Sequence, residues 1–211
     1  MILTGYTDNM ADVGDRCTAT QLAYAQRRGY DFECVRHYHD RTHPSHQKIE
    51  LLAERIHKYD GIMWMDADSL VTGDMDLETL RNGEHVMDIS IDWCAPIDAD
   101  NSTTYVSCGN FVLWNRPETK EFLREWAMKS ERYATRNVCC WEQDGLRALI
   151  QSDERFNKMV RRWPRWVFNS VHHTCINRDF LELPPNPWVK GDFILHLTNV
   201  DRMAILQEMG H

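Results

Sequence analysis

Asp66 and Asp68 stand two residues apart where the apolar run Ile62-Met63-Trp64-Met65 ends. In an extended chain that spacing turns both side chains to one side. Carboxylates so close repel each other unless a cation lies between or beside them. Hard oxygen donors with room for water suit Mg²⁺ or Mn²⁺, and such an ion bridges phosphate oxygens in turn. The alternative is a pair of solvated loop aspartates. Against it stands the abrupt change from Trp64-Met65 to Asp-Ala-Asp, with small Ala67 between. Far along the chain, His196 ends the apolar run that starts at Phe193. An imidazole ligand would shift the preference toward Mn²⁺. A lone histidine there is otherwise a hydrogen-bonded core residue. Asn199 and Arg202 follow at +3 and +6, offering a tight turn and a guanidinium able to clamp a diphosphate.

The elements that would position these groups read as β-α-β-α-β. Met1 to Gly5 is a short apolar run, and the next segment, with Cys17, Leu22, Ala23 and Ala25, ends at the helix stop Arg27-Arg28-Gly29. Tyr30 to Arg36 alternates like a strand. Ile49, Leu52, Ala53 and Ile56 repeat at helical spacing, so Ser45 to Tyr59 is predicted as an amphipathic helix, broken by Gly61. Helical crossovers imply parallel strands in a sheet covered on both faces. Ligands of such sheets bind beyond the carboxyl ends of the strands, where Asp8, Asp66 and Asp68 would all lie. Farther on, His85 to Trp93 and Tyr105 to Trp114 look extended. Pro117 suits the first turn of a helix bearing Phe122, Leu123 and Trp126, and Trp141 to Ile150 reads as another helix. Arg161 to Asn169 is a short aromatic segment, Leu183 to Pro187 a proline-broken loop, and Phe193 to Leu197 a final strand. The expected fold class is α/β, one domain over residues 1–211, with a mostly parallel central sheet flanked by helices.

The 211 residues include 24 Lys+Arg and 32 Asp+Glu, a formal net charge of −8 that gives no overall attraction for nucleic acid. With 43% apolar residues the composition is globular. The longest uncharged run, Asn101 to Asn115, is too short and polar for a membrane span, and no leader pattern opens the chain, so a soluble cytoplasmic protein is expected. Seven cysteines, an odd number that includes the adjacent Cys139-Cys140, favour reduced thiols over a disulfide framework. His37, His39, His43 and His46 match no zinc spacing and read as a solvated loop, and His172, His173 and Cys175 as structural. Arg161-Arg-Trp-Pro-Arg-Trp166 interleaves cations with indoles. It could stack a sugar or a nucleobase, or form a rim with both indoles packed inward and the arginines solvated. The second reading is preferred.

Asp66-Ala67-Asp68 at a strand end resembles the DxD motif of GT-A nucleotide-sugar glycosyltransferases, and the chain is most similar to the galactosyl/mannosyltransferase family of the yeast α-mannan and plant xyloglucan xylosyltransferase type (glycosyltransferase family 34). Five blocks in the family's order carry this resemblance: Asp15 to Tyr30; Ser45-His-Gln-Lys48-Ile leading to Trp64-Met-Asp-Ala-Asp68; Cys108-Gly109-Asn110 to Asn115; Trp141-Glu142-Gln143-Asp144; and Gly191-Asp-Phe-Ile-Leu-His196. Trp114 stands where the family usually has Arg, and Asn199 where related retaining enzymes have glycine.

The resemblance implies a single-domain GT-A, Rossmann-like fold and a metal-dependent retaining transfer of a hexose or pentose from a UDP- or GDP-sugar to an acceptor hydroxyl. Asp66, Asp68 and His196 would hold Mn²⁺ or Mg²⁺ against the donor diphosphate, with Ala67 between, and Lys48 and Arg202 would neutralise phosphate. Thr4, Tyr6, Thr7 and Asp8 would face base and ribose. Gly109 and Asn110 would let the backbone approach the sugar, with Asp92 a carboxylate for sugar or acceptor. Glu142, Gln143 and Asp144 would lie under the donor sugar, supporting oxocarbenium-like charge or supplying a transient nucleophile. The acceptor would be a glycan or, less in keeping with the charge, a modified nucleobase. The compact length, without the anchor and stem of Golgi members, suggests a bacterial or viral origin. Two rivals remain. A haloacid-dehalogenase-like phosphohydrolase would use Asp66 as nucleophile and Asp68 as acid, but it carries Thr or Val where this chain has Leu70, and bears its motif on the first strand. A catalytically dead sugar- or nucleotide-binding protein would be expected to have lost one of Asp66, Asp68, Lys48 or His196.

Overall fold

The computed structural model describes residues 1–36, 38, 43–92, 95, 104–134, 141–175 and 187–211. The chain opens with β1 (Ile2–Gly5), α1 (Ala11–Arg28), β2 (Phe32–Val35), α2 (Pro44–Arg55) and β3 (Gly61–Met65). It continues with β4 (Ser69–Val71), β5 (Met87–Ile91), β6 (Val106–Trp114), α3 (Thr119–Ala134), α4 (Trp141–Ser152) and α5 (Glu154–Lys158). The last elements are β7 (Val160–Trp163), α6 (Arg165–Phe168), β8 (Ser170–Val171), β9 (Ile194–His196) and α7 (Arg202–Glu208). The β-α-β-α-β opening is therefore present as expected. Gly29 ends α1 in the left-handed conformation, φ 70°, the geometry that a glycine adopts at least cost. At the other helix, Pro44 starts α2 and the His43 ring accepts from the Ser45 amide.

Six strands form the central sheet in the order β2-β1-β3-β6-β5-β7. The pairs β1–β2, β1–β3 and β5–β7 are parallel, while β6 runs antiparallel to both neighbours. Alternate strand residues divide between two apolar layers. Leu3, Trp64, Phe111 and Leu113 pack under Leu52 of α2, Trp126 of α3 and Leu149 of α4. Ile2, Met63, Met65 and Val112 face the opposite side, against Tyr24 of α1, Phe168 and Phe193. Among the described residues no helix is long and apolar enough to cross a membrane.

Several expectations need correction. The final strand expected over Phe193 to Leu197 is present as β9, which belongs to a second sheet ordered β4-β9-β8. The partners β4 and β8 are only three and two residues long, too short to show a period. Val160 to Trp163 is an edge strand, β7, hidden in the sequence by two arginines. Pro117 lies in the turn before α3, and Thr119 makes that turn by accepting from the Arg116 amide and donating to the Trp114 carbonyl. The preferred reading of Arg161 to Trp166 holds for Trp163, which packs against the core and donates to Asp88, but not for the rest. Arg162 is buried, Arg161 donates to Asp88 and to the Leu80 carbonyl, and Arg165 reaches the Asp92 and Ala95 carbonyls, while Trp166 is 51% exposed. Cys17, Cys34, Cys108 and Cys175 are free thiols. His37, His39 and Cys139-Cys140 lie outside the described residues.

Candidate functional site

The carboxyl ends of β1, β3 and β5 share one edge of the central sheet, and the β4–β9 pair begins just beyond β3. There Asp66 leaves β3, its amide donating to the Gly109 carbonyl of β6. Gln21 of α1 donates to the carbonyls of Asp66 and Ser69 and so fixes the turn between them. In β4–β9, Ser69 stands opposite His196, and the Leu197 amide donates to the Asp68 carbonyl. Asp68 and His196, 128 positions apart, thus come together through a three-residue strand.

Asp68 Oδ1 lies 3.2 Å from His196 Nε2, and its Oδ2 accepts from Arg202 Nε and a terminal guanidinium nitrogen at 3.1 and 2.8 Å. Asp66 Oδ1 accepts from Trp64 Nε1 at 2.6 Å and pairs with Lys48 Nζ at 3.1 Å. One donor atom each from Asp66, Asp68 and His196 lie within 4.8 Å of one another. Oxygen ligands stand about 2.1 Å from Mg²⁺, which places neighbouring ligands of an octahedron about 3 Å apart. The spacing, the mixture of two carboxylates with an imidazole, and the charge all fit a divalent ion. Asp66, Asp68 and Glu142 face Lys48 and Arg202, three formal negative charges against two positive.

Further contacts hold the ligands in place. His196 Nδ1 is 2.7 Å from Asn169 Oδ1, and both residues are buried. A ring nitrogen that donates there leaves the lone pair of Nε2 for a metal. Gly109 makes room for the same ring, since a Cβ on it would sit 2.5 Å from His196 Cε1. β6 takes five steps from Phe111 to Val106 while β5 takes two from Ile89 to Ile91. The surplus forms a bulge that carries Gly109 and Asn110 to the site. Asn110 is fully buried, and neither its amide oxygen nor its nitrogen has a partner.

The charges are strongly perturbed. Burial raises the Asp66 pKa, and Asp68 beside it adds to this against the pull of Lys48. Burial also opposes ionisation of Asp68, but His196 and Arg202 outweigh it and hold that carboxyl below the usual range. For Lys48 burial favours the neutral form, yet Asp66 and Glu142 more than reverse this and keep it protonated.

Lys48, expected to meet phosphate, is 2% exposed and its ammonium donates to the Cys108 carbonyl at 2.8 Å and Glu142 at 2.9 Å, with Asp66 at 3.1 Å. Three acceptors occupy its three N–H groups, so it braces carboxylates instead of facing a ligand. Arg202 is the more open cation, with 37% of its side chain exposed. Gln143 accepts from the Cys108 amide and donates to Asp92, which also takes Arg147. Asp144 is half-buried 3.7 Å from Arg147, and burial raises its pKa.

The β1 end is divided. Thr4 is fully buried in the strand. Tyr6 donates to Asp15 and accepts from Arg36, whose guanidinium lies 4.2 Å from the ring centroid; burial first, then Asp15, push its pKa up to about 12. Thr7 and the exposed Asp8 remain toward solvent, with Asp8 3.4 Å from Arg36. Ala67 is 7% exposed between the aspartates. Asn199 has φ 53°, a left-handed conformation that asparagine tolerates, which accounts for its place where glycine is usual. Sequence reasoning missed Trp64, Asn169, Gln21 and Arg147. Only Trp64 carried a signal, two residues before Asp66 and so on the same side of the strand.

No family model matches the chain, and no curated protein matches it. Among solved structures, a glycosyltransferase involved in the glycosylation of the major capsid of PBCV-1 superposes with a TM-score of 0.72 at 13% identity, covering 99% of this chain and 97% of that one. The galactosyltransferase LgtC, in complex with donor and acceptor sugar analogues, gives 0.62 at 14% identity over 99% and 95%. The bifunctional glycosyltransferase WbbM gives 0.61 at 14% over 93% of this chain and 45% of its own. The fold is thus the GT-A fold of glycosyltransferases.

Proposed function

We propose that the chain is a metal-dependent retaining glycosyltransferase, related to the galactosyl/mannosyltransferase type, that moves a sugar from a UDP- or GDP-sugar to an acceptor hydroxyl. The observation that carries this reading is the meeting of Asp66, Asp68 and His196 donor atoms within 4.8 Å, at the ligand edge of a fold that glycosyltransferases share. Both a donor and an acceptor sugar analogue accompany LgtC, which supports a sugar on each side of the reaction.

Asp66, Asp68 and His196 would hold Mn²⁺ or Mg²⁺, which when bound supplies positive charge for a departing diphosphate. Arg202, the open cation, adds to that charge. Thr7 and Asp8 are the groups toward solvent at the β1 end that would meet base and ribose. Lys48 braces Asp66 and Glu142 in place. A carboxylate braced by an ammonium at 2.9 Å suits standing negative charge under a developing oxocarbenium better than covalent attack, so Glu142 is assigned that role. Gln143, tied to Cys108 and Asp92, orients the sugar from beneath, and the bulge at Gly109-Asn110 brings backbone close to it.

Asp68→Ala tests the assignment. Mn²⁺-dependent hydrolysis of the best substrate from a panel of UDP- and GDP-sugars should fall at least a thousandfold (about 4 kcal/mol), with the circular dichroism spectrum retained. Unchanged turnover, or hydrolysis of an aryl phosphate with none of any nucleotide sugar, would overturn it. The anomeric configuration of the product, read by NMR, tests retention.

A further inference from the structure

The Arg161–Trp166 motif offered cations and indoles together, and the fold keeps one such pair, with the Arg161 guanidinium 4.7 Å from the Trp163 ring centroid. Arg161 is tied to Asp88 and the Leu80 carbonyl, Arg162 to Asn157 and the Val160 carbonyl, and Arg165 to the carbonyls of Asp92 and Ala95. What projects is Trp166, 51% exposed although its neighbour Phe168 is fully buried.

Its position follows from the sheet. β7 runs parallel to β5 with Trp163 beside Ser90, so the chain reaches the level of Asp92 at Arg165, where the 2.9 Å bond to the Asp92 carbonyl holds it. Antiparallel β6 starts at the same edge, with Val106 beside Ile91, and the Asp92 amide donates to the Tyr105 carbonyl. Tyr105 is 46% exposed, its ring 5.6 Å from the Arg147 guanidinium that binds Asp92. Two of the exposed large aromatic side chains therefore flank one buried carboxylate, which Gln143 links to the floor of the site.

We infer that Trp166 and Tyr105 form an aromatic platform for the acceptor, and that the acceptor is a glycan with a pyranose ring stacked on it. The weakly positive C–H face of a pyranose matches the negative face of an aromatic ring. With Arg161, Arg162 and Arg165 engaged by protein oxygens, and a net charge of −8, the described residues at the platform offer no row of open cations of the kind that tracks the phosphates of a stacked nucleic acid. This inference rests on the proposed function and names the acceptor class for that site.

The test uses the full chain with Mn²⁺ and UDP or GDP on a printed glycan array, alongside titration of its tryptophan emission with single-stranded oligonucleotides. Wild type should bind a defined subset of glycans. Trp166→Ala and Tyr105→Ala should lose at least tenfold of that binding, Trp166→Phe should recover part of it, and Met128→Ala, exposed on α3, should change nothing. Both target side chains are half exposed, so the variants should keep the wild-type melting temperature, which is measured for each. An array profile unchanged in both alanine variants overturns the platform, as does binding of the oligonucleotide without any glycan. If Mn²⁺ with UDP or GDP does not raise the melting temperature of wild type, it is the proposed function that has failed.

Discussion

Asp88 and Asp68 are both buried carboxylates at strands of this molecule, both paired with an arginine, and they do different things. Asp88, near the start of β5, accepts from Trp114 Nε1 and Trp163 Nε1 at 2.6 Å each and from Arg161, so indole and guanidinium donors cover both oxygens. Trp114 sits there, at the position where the resembled family carries Arg, and the guanidinium comes instead from β7. Asp68 has its arginine too, but its remaining neighbour is His196, a ligand type, and a second carboxylate stands two residues away. Burial and charge alone do not mark a site. Like charges gathered next to a nitrogen able to ligate a metal do, because the protein's own cations leave one charge unbalanced.

Lys48→Met should have the largest effect on folding. It strands Asp66 and Glu142 as buried carboxylates, at a cost of about 3–5 kcal/mol in urea unfolding. The raised Lys48 pKa contributes stability that is present throughout pH 5–9 and lost only above it. Burial already raises the Asp66 pKa, and without the opposing Lys48 it would rise further above its unfolded value, so the deficit should shrink as pH falls toward 5. A deficit independent of pH would mean that Lys48 matters through packing alone.

Asp88→Asn should cost less, about 2–4 kcal/mol, because the amide turns an N–H toward a donor. Its Mn²⁺ affinity, measured by titration calorimetry on the folded variant, should equal that of wild type. Reduced affinity would break the contrast between a closed structural carboxylate and an open one. Asn169→Ala should do the reverse, lowering Mn²⁺ affinity about 10–100-fold by releasing the His196 ring, with little loss of stability. Equal affinity would remove Asn169 from the site.

How much of this was legible in the sequence depends on whether a residue's partners are local. The first five elements showed because Ile49, Leu52 and Ile56 repeat along one helix face and Gly29 and Gly61 punctuate. Asp66 and Asp68 showed because their chemistry contrasts with the strand that delivers them. β4 and β8 did not, since strands of three and two residues carry no period, and Val-Arg-Arg-Trp of β7 looks polar until Asp88 appears opposite Arg161. Asn169 was invisible because its partner is 27 residues away. The exposed Trp166 was misjudged because an indole beside an arginine reads as the group to bury, when here Arg165 finds the Asp92 and Ala95 carbonyls first.

Diffraction from crystals grown with Mn²⁺ and UDP or GDP, recorded at the manganese absorption edge, tests the central claim most directly. One anomalous peak bonded to Asp66, Asp68 and His196 and touching the diphosphate is expected. Nucleotide bound at this edge with no peak between those three side chains, or with manganese held elsewhere, would contradict it.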